Sequence, residues 1–270
     1  MHRFEYVLKS EWFPVKQELL NIIQKLQEQV RDRFTFQYHF VGSSQRNMIT
    51  RDRSTNVGFD FDVNLEVNDP DEQYSPKQIR DILRNGLDNI THPCHSVSND
   101  IHRPSIFSYD YSGGSTIIVG GVGIHSLIGS YPHRQYTPCD YFCGLDRGVN
   151  EGYDYAEDST RVLTIKVKDQ KNARILHSCD FCIVCQSDDG RQKYIHYNKK
   201  QNNYSWKYQP EGFGQLPKKI DFCKKNKRLW SDVRNLYLDK KNTNTDEHKK
   251  SRSIFAETIH QVCQQNGYYD

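Results

Sequence analysis

Apolar residues at Val15, Leu19, Ile22, Ile23, Leu26 and Val30 recur at helical spacing, and the stripe predicts an amphipathic helix over residues 14–33. The period then changes. "RFTFQYHFV" (33–41) is dense in aromatic and β-branched residues, so it reads as a strand ending at Gly42. "STNVGFDFDVNLEV" (54–67) alternates and reads as a second strand, closed by the turn cluster "NDPDE". Ser75-Pro76 opens another helix: Ser75 is the N-cap, Pro76 lies in the first turn and Gln78 completes a capping box. Its buried stripe is Ile79, Ile82, Leu83 and Ile90.

Residues from about 91 to 158 break the pattern. They are rich in Gly, Tyr and His, contain one strand-like piece, "STIIVGGVGI", and read as an insertion on the core. Regular structure resumes with the strand candidates "RVLTIKVKD" (161–169) and "ARILHSCDFCIVCQS" (173–187). Helical patterns follow over "IDFCKKNKRLWSDVRNLYLDKK" (220–241) and "SRSIFAETIHQVCQQN" (251–266). There is no internal repeat and no heptad. The expected plan is α+β: a small sheet flanked by helices in a core spanning 1–219, then a C-terminal helical region over 220–270.

Composition narrows the setting. Mean hydropathy is −0.85, polar for a folded chain, but 17 Tyr and 13 Phe supply large side chains for a core. The opening "MHRFEYVLKSEWF" has no apolar h-region, so no secretory signal is expected. No apolar run reaches membrane-helix length, and no membrane partner is expected. Eight Cys in that context imply reduced thiols and a cytoplasmic location. The net charge of +3 is compatible with nucleotide binding and supplies no track for long nucleic acid.

The second strand raises a question, because it carries carboxylates inside an apolar alternation. Residues two apart share a strand face, so Asp60, Asp62 and Asn64 point one way and Phe59, Phe61, Val63 and Leu65 the other. Two adjacent carboxylates repel unless a cation sits between them, and an oxygen-only donor set suits Mg²⁺ or Mn²⁺. Gly42 permits a sharp turn after the preceding strand, and Ser43 and Ser44 expose amide and hydroxyl donors suited to phosphates. A third carboxylate is expected from Asp180 in "HSCDFCIVC", a charge inside a run apolar on both faces and hence on a central strand. Three carboxylates can hold two metal ions, one for the attacking hydroxyl and one for the triphosphate.

Gly-Ser, then Asp-x-Asp, then a distant strand Asp resembles the nucleotidyltransferases of the DNA polymerase β superfamily. The later order, "YIHYN…YSWKYQP", "LWSDVRNLYLDKKN" and "SRSIFAETI", is similar to the template-independent branch that holds the 2′-5′ oligoadenylate synthetases and the cGAS/DncV-like enzymes. The resemblance implies a polymerase-β-like core and transfer of an NMP from an NTP, with ATP the expected donor, to a hydroxyl with release of pyrophosphate. It implies two Mg²⁺ or Mn²⁺ ions on Asp60, Asp62 and Asp180, the last also drawing the proton from the acceptor hydroxyl. Gly42, Ser43 and Ser44 would cradle the phosphates, Arg234 with Lys218 or Lys219 would steady them, and Glu257 would fill a later acidic position. The implied acceptor is a small molecule, a second nucleotide. Two departures stand out: 17 residues separate Gly42 from Asp60, and the basic position holds Arg, not Lys.

Other readings keep the scaffold and change the role: a non-catalytic nucleotide- or RNA-binding module, or a nucleotidyltransferase acting on RNA, a protein or an antibiotic. A DxD glycosyltransferase would begin with a βαβ unit, which the pattern lacks. His133, Cys139 and Cys143, with His92, Cys94 and His95 upstream, are zinc-ligand types in a spacing that fits no finger, so no zinc is expected. "KKNKRLW" and "DEHKKSR" read as solvated helix faces and loop.

Overall fold

The computed structural model describes residues 2–69, 71–92, 151–169, 171–210 and 214–268, and a hairpin at Thr116–Val119 and Val122–His125. A short strand β1 (Phe4–Tyr6) leads into helix α1 (Lys9–Val30). This helix starts five residues before the predicted boundary at 14 and ends at Val30. Pro14 lies inside it, in the second turn, where its missing N–H forfeits a bond to Ser10 but its fixed φ remains compatible with helix. Glu11 helps set the true start, accepting from the Leu8 N–H at 3.4 Å.

Strand β2 (Thr35–Val41) runs into a single turn, α2 (Gly42–Gln45), followed by β3 (Thr50–Asp52) and the long β4 (Val57–Asn68). Helix α3 (Pro76–Thr91) has the predicted capping box: Gln78 Oε1 accepts from the Ser75 N–H at 2.9 Å, and the Gln78 N–H reaches Ser75 Oγ at 3.4 Å. The hairpin β5 (Thr116–Val119) and β6 (Val122–His125) pairs antiparallel within a separate compact unit, residues 92–145. Strands β7 (Glu151–Tyr153), β8 (Glu157–Asp158), β9 (Val162–Asp169), β10 (Arg174–Gln186), β11 (Gln192–Asn198) and β12 (Asn203–Tyr208) follow.

β12, β11, β10, β4 and β2 form the path of an eight-stranded mixed sheet. β4 and β10 are parallel; β9 and β11 share the other edge of β10, both antiparallel to it. β10 is therefore central, as its doubly apolar sequence implies. The inner face carries Phe61, Val63, Leu65, Phe181 and Ile183, all buried against Leu19, Ile23 and Leu26 of α1 and Leu83 and Leu87 of α3. Arg80, fully buried on α3, pairs with Asp158 and donates to the Ser159 and Val162 carbonyls, tying α3 to the end of β9.

The C-terminal region is three helices: α4 (Leu216–Lys225), α5 (Lys227–Thr243) and α6 (Ser251–Gln265). The single helix expected over 220–241 is thus two. Asn226 breaks it: its backbone is extended (φ −120°) and its side chain accepts from the Arg228 N–H at 2.9 Å, capping α5. These helices build a second core from Val233, Tyr237, Ile254, Phe255, Ile259 and Val262, into which Met48 inserts. Tyr6 joins the same region, its hydroxyl donating to the Arg234 carbonyl at 2.7 Å.

Candidate active site

The outer face of the sheet begins with the alternation of β4. Phe59, Phe61, Val63 and Leu65 are buried, so Asp60, Asp62 and Asn64 are turned outward on the opposite face. Parallel pairing then sets Asp180 of β10 opposite Asp62, and Ser178 opposite Asp60. Cys179 and Phe181 face the core, which leaves the Asp180 side chain on the outer face with the other two. On the far side of β10, Thr164 of β9 is the register partner of Asp180 and donates its hydroxyl to Asp180 Oδ1 at 2.6 Å.

The Gly-Ser turn arrives from β2. Val41 pairs with Asp62, so Gly42 emerges directly beside that carboxylate. Gly42 has φ +65°, and a Cβ at this position would run into Asp62 Oδ2. Both facts demand glycine: the left-handed backbone and the close approach of a carboxylate. The two serines differ. Ser44 is buried and its hydroxyl donates to the Val41 carbonyl at 2.9 Å, whereas the Ser43 hydroxyl has no partner among the described residues.

Electrostatics reflect this crowding. Burial, then Asp60 and Asp180, push the Asp62 carboxyl up to about 7, with Arg46 pulling the other way. Asp60 is likewise raised, by desolvation first and Asp180 second. By surface area Asp60 is exposed, so its desolvation comes from the protein mass around it and not from a lid. The donor set is oxygen-only and crowds like charges together, which fits a divalent cation. Among the described residues, however, no group of three or more His, Cys, Asp or Glu side chains is gathered into a ready-made metal site.

Basic residues converge on the other side of the turn. A cavity of about 320 Å³ is lined by Gln45 and Arg46, by Leu216, Ile220, Asp221 and Lys224 of α4, and by Arg252 of α6. Arg46 lies over the Phe255 ring at 4.1 Å, and its Nε is buried with no hydrogen-bond partner among the described residues. Lys224 and Arg252 belong to the two stretches read as solvated; both are exposed, but they meet at one opening. Arg46, Lys224, Arg252 and Thr164 were not singled out by the sequence pattern. Only Arg46 had a signal available there, its place four residues after Gly42.

The other predicted residues are placed as follows. Arg234 stacks on Tyr6 at 4.1 Å and donates to the Asn47 carbonyl, bracing the segment just after α2. Lys218 is exposed at the start of α4, and Lys219 Nζ lies 3.2 Å from His260 Nδ1. Neither lines the cavity. Glu257 pairs with Lys249 at 2.7 Å beside a different cavity of about 390 Å³. Cys94, His95, His133, Cys139 and Cys143 lie outside the described residues.

No protein-family model and no curated protein matches the chain. Among solved structures, it is similar to Vibrio cholerae DncV in its GTP-bound form (12% identity, TM-score 0.47, covering 98% of this chain and 54% of DncV). It is also similar to the Vibrio cholerae DncV cyclic AMP-GMP synthase with nonhydrolyzable GTP (11%, TM-score 0.48, 98% and 55%). A third is the Bradyrhizobium diazoefficiens CD-NTase CdnG in complex with GTP (10%, TM-score 0.44, 94% and 65%). The chain thus spans about half the length of DncV.

Proposed function

We propose that the chain is a metal-dependent nucleotidyltransferase that moves an NMP from an NTP to a hydroxyl and releases pyrophosphate. One observation carries this reading: strand register sets Asp62 beside Asp180, and the bare Cα of Gly42 brings the Gly-Ser turn against the same carboxylate. Phosphate donors and metal-type acceptors thereby share one place on the sheet. Asp60, Asp62 and Asp180 would hold the divalent ions. Such ions, when bound, neutralise the triphosphate and its leaving pyrophosphate and lower the pKa of the attacking hydroxyl.

The chain's own groups supply the rest. Ser43, with its hydroxyl uncommitted, and the amides that follow Gly42 bind the phosphates. Arg46, Lys224 and Arg252 receive the polyphosphate tail in the cavity they line. Thr164 fixes the rotamer of Asp180, leaving Oδ2 to take the proton of the acceptor hydroxyl. ATP is the proposed donor and a second nucleotide the proposed acceptor, since the net charge of +3 provides no long basic track. Among the described residues no helix is long and apolar enough to cross a membrane, and none of the five described cysteines is in a disulfide.

The test is incubation with labelled ATP, GTP, CTP and UTP and Mg²⁺ or Mn²⁺, without primer. Phosphatase-resistant short products and stoichiometric pyrophosphate are expected. Label incorporated only after addition of RNA, a protein or an aminoglycoside would replace the acceptor assignment. No pyrophosphate under any condition would remove the enzymatic reading.

A further inference from the structure

Sheet order gives the acid face two sides. The Gly-Ser turn leaves β2 on the Asp62 side, while β9 lies beyond Asp180. Leu163, Ile165 and Val167 of β9 are buried in the core, so Thr164, Lys166 and Lys168 share the outer face with the acids. Register lays two rows across that face: Asp62, Asp180 and Thr164 in one, Asp60, Ser178 and Lys166 in the next. Lys166 is thus the diagonal neighbour of Asp180, a residue spacing of roughly 7–8 Å.

The ammonium of Lys166 is only loosely committed. It pairs with Glu157 of β8, and the two side chains are 23% and 54% exposed. An ion pair with so open a member contributes little, and a phosphate is a stronger partner than a solvated carboxylate. Lys168 pairs in the same way with Asp154, one strand step farther from Asp180.

In phosphoryl transfer the attacking and leaving oxygens stand roughly in line through phosphorus. The Gly-Ser turn receives the phosphates that leave, so the attacking hydroxyl comes from the opposite side of Asp180, over β9. Its oxygen bonds to the α-phosphorus as the bond to the bridging oxygen of pyrophosphate breaks, and its proton passes to Asp180. Any acceptor lying there meets Lys166.

We propose that Lys166 selects a phosphorylated acceptor: it exchanges Glu157 for the 5′-phosphate of the second nucleotide and so holds that nucleotide's hydroxyl at Asp180. This rests on the reading of Gly42, Asp62 and Asp180 as a nucleotidyltransfer site. Glu157 competes for the same ammonium, so the two residues act with opposite sign.

The test uses labelled 2′,3′-dideoxynucleoside triphosphates, which donate but cannot accept, with Mg²⁺ or Mn²⁺. Acceptors are the ribonucleoside 5′-monophosphates, each against its nucleoside. Wild type is expected to favour the nucleotide roughly ten- to a hundredfold in kcat/KM, the worth of one charge-assisted contact. Lys166→Met is expected to lose that preference through the acceptor KM while its affinity for a nonhydrolysable NTP stays that of wild type. Lys166→Arg should keep the preference, and Glu157→Gln should enlarge it. A Lys166→Met enzyme that keeps the preference, or that loses both acceptors equally, overturns the proposal. Should that variant not fold, wild type and Glu157→Gln decide: equal use of nucleotide and nucleoside by wild type, or a smaller preference in Glu157→Gln, overturns it. No transfer to any of these acceptors also overturns it, and pyrophosphate release from ordinary NTPs then shows separately whether the nucleotidyltransfer reading stands.

Discussion

The acid face of the sheet and the basic cavity beside it sit on either side of the same Gly-Ser turn, but they are built in opposite ways. The acids come from two hydrogen-bonded strands, and register alone sets Asp62 beside Asp180. The bases come from three separate segments, at Arg46, Lys224 and Arg252, brought together by helix packing. A strand pair fixes its side chains to within a register step, whereas helices α4 and α6 meet through a core that could repack without breaking a backbone ladder. The acid side is therefore expected to be intolerant, and the basic side graded.

The largest effect should follow substitution on the acid side. Asp62→Ala or Asp180→Ala is expected to lower turnover roughly a thousandfold while the fold persists, because the loss is of ion-mediated charge stabilisation worth several kcal/mol. Pyrophosphate release measures it, and near-wild-type rates would remove these residues from the site. The same variants should melt no lower than wild type in EDTA, since each relieves like-charge repulsion.

Gly42→Ala strikes the seam between the two regions. The new Cβ meets Asp62 Oδ2 at a residue held at φ +65°, so both stability and turnover should fall. Strain of this kind costs on the order of 1–3 kcal/mol, readable as a drop of several degrees in Tm. An unchanged Tm would mean that the turn is not held as described.

On the basic side the changes should be smaller and additive. Ser43→Ala is expected to weaken NTP binding by roughly ten- to a hundredfold through loss of a charge-assisted hydrogen bond. Arg46→Met or Arg252→Met should weaken it by about tenfold each, with greater loss at low salt where surface charge is less screened. Calorimetry with a nonhydrolysable NTP distinguishes the cases. Equal affinity in all three variants would place the phosphates elsewhere.

A separate expectation concerns stability and not turnover: a pH dependence of the metal-free protein. The Asp62 carboxyl is raised from 3.8 to about 7, so between those values the folded state holds a proton that the unfolded state has lost. Stability then falls as pH rises from about 4 to about 7 and levels off above. Thermal melts in EDTA should show this slope, Asp62→Asn should flatten it, and added Mg²⁺ should oppose it. A melt that rises steadily over that window would contradict the acid cluster.

Where local physics decides an element, the sequence was sufficient. Period-2 alternation in β4 assigned Asp60 and Asp62 to one face, and the doubly apolar run around Asp180 made β10 central, because burial on both sides of a strand leaves no other place for it. The Ser75–Gln78 box set the start of α3, since its hydrogen bonds close within four residues. Boundaries that depend on competing signals were not legible: Pro14 marked a helix start that lies at Lys9, and Asn226 divides a helix whose apolar stripe runs on. Three decisions belonged to the tertiary structure alone. Strand pairing chose Thr164 as the partner of Asp180; packing of α4 and α6 drew Lys224 and Arg252 to Arg46; and the docking of α5 on β1 and β3 buried Lys241 beside Thr50 and Phe4. Charge on a helix reads as solvated because period reports only which face is apolar, and what a polar face meets is fixed by contacts many residues away in the chain.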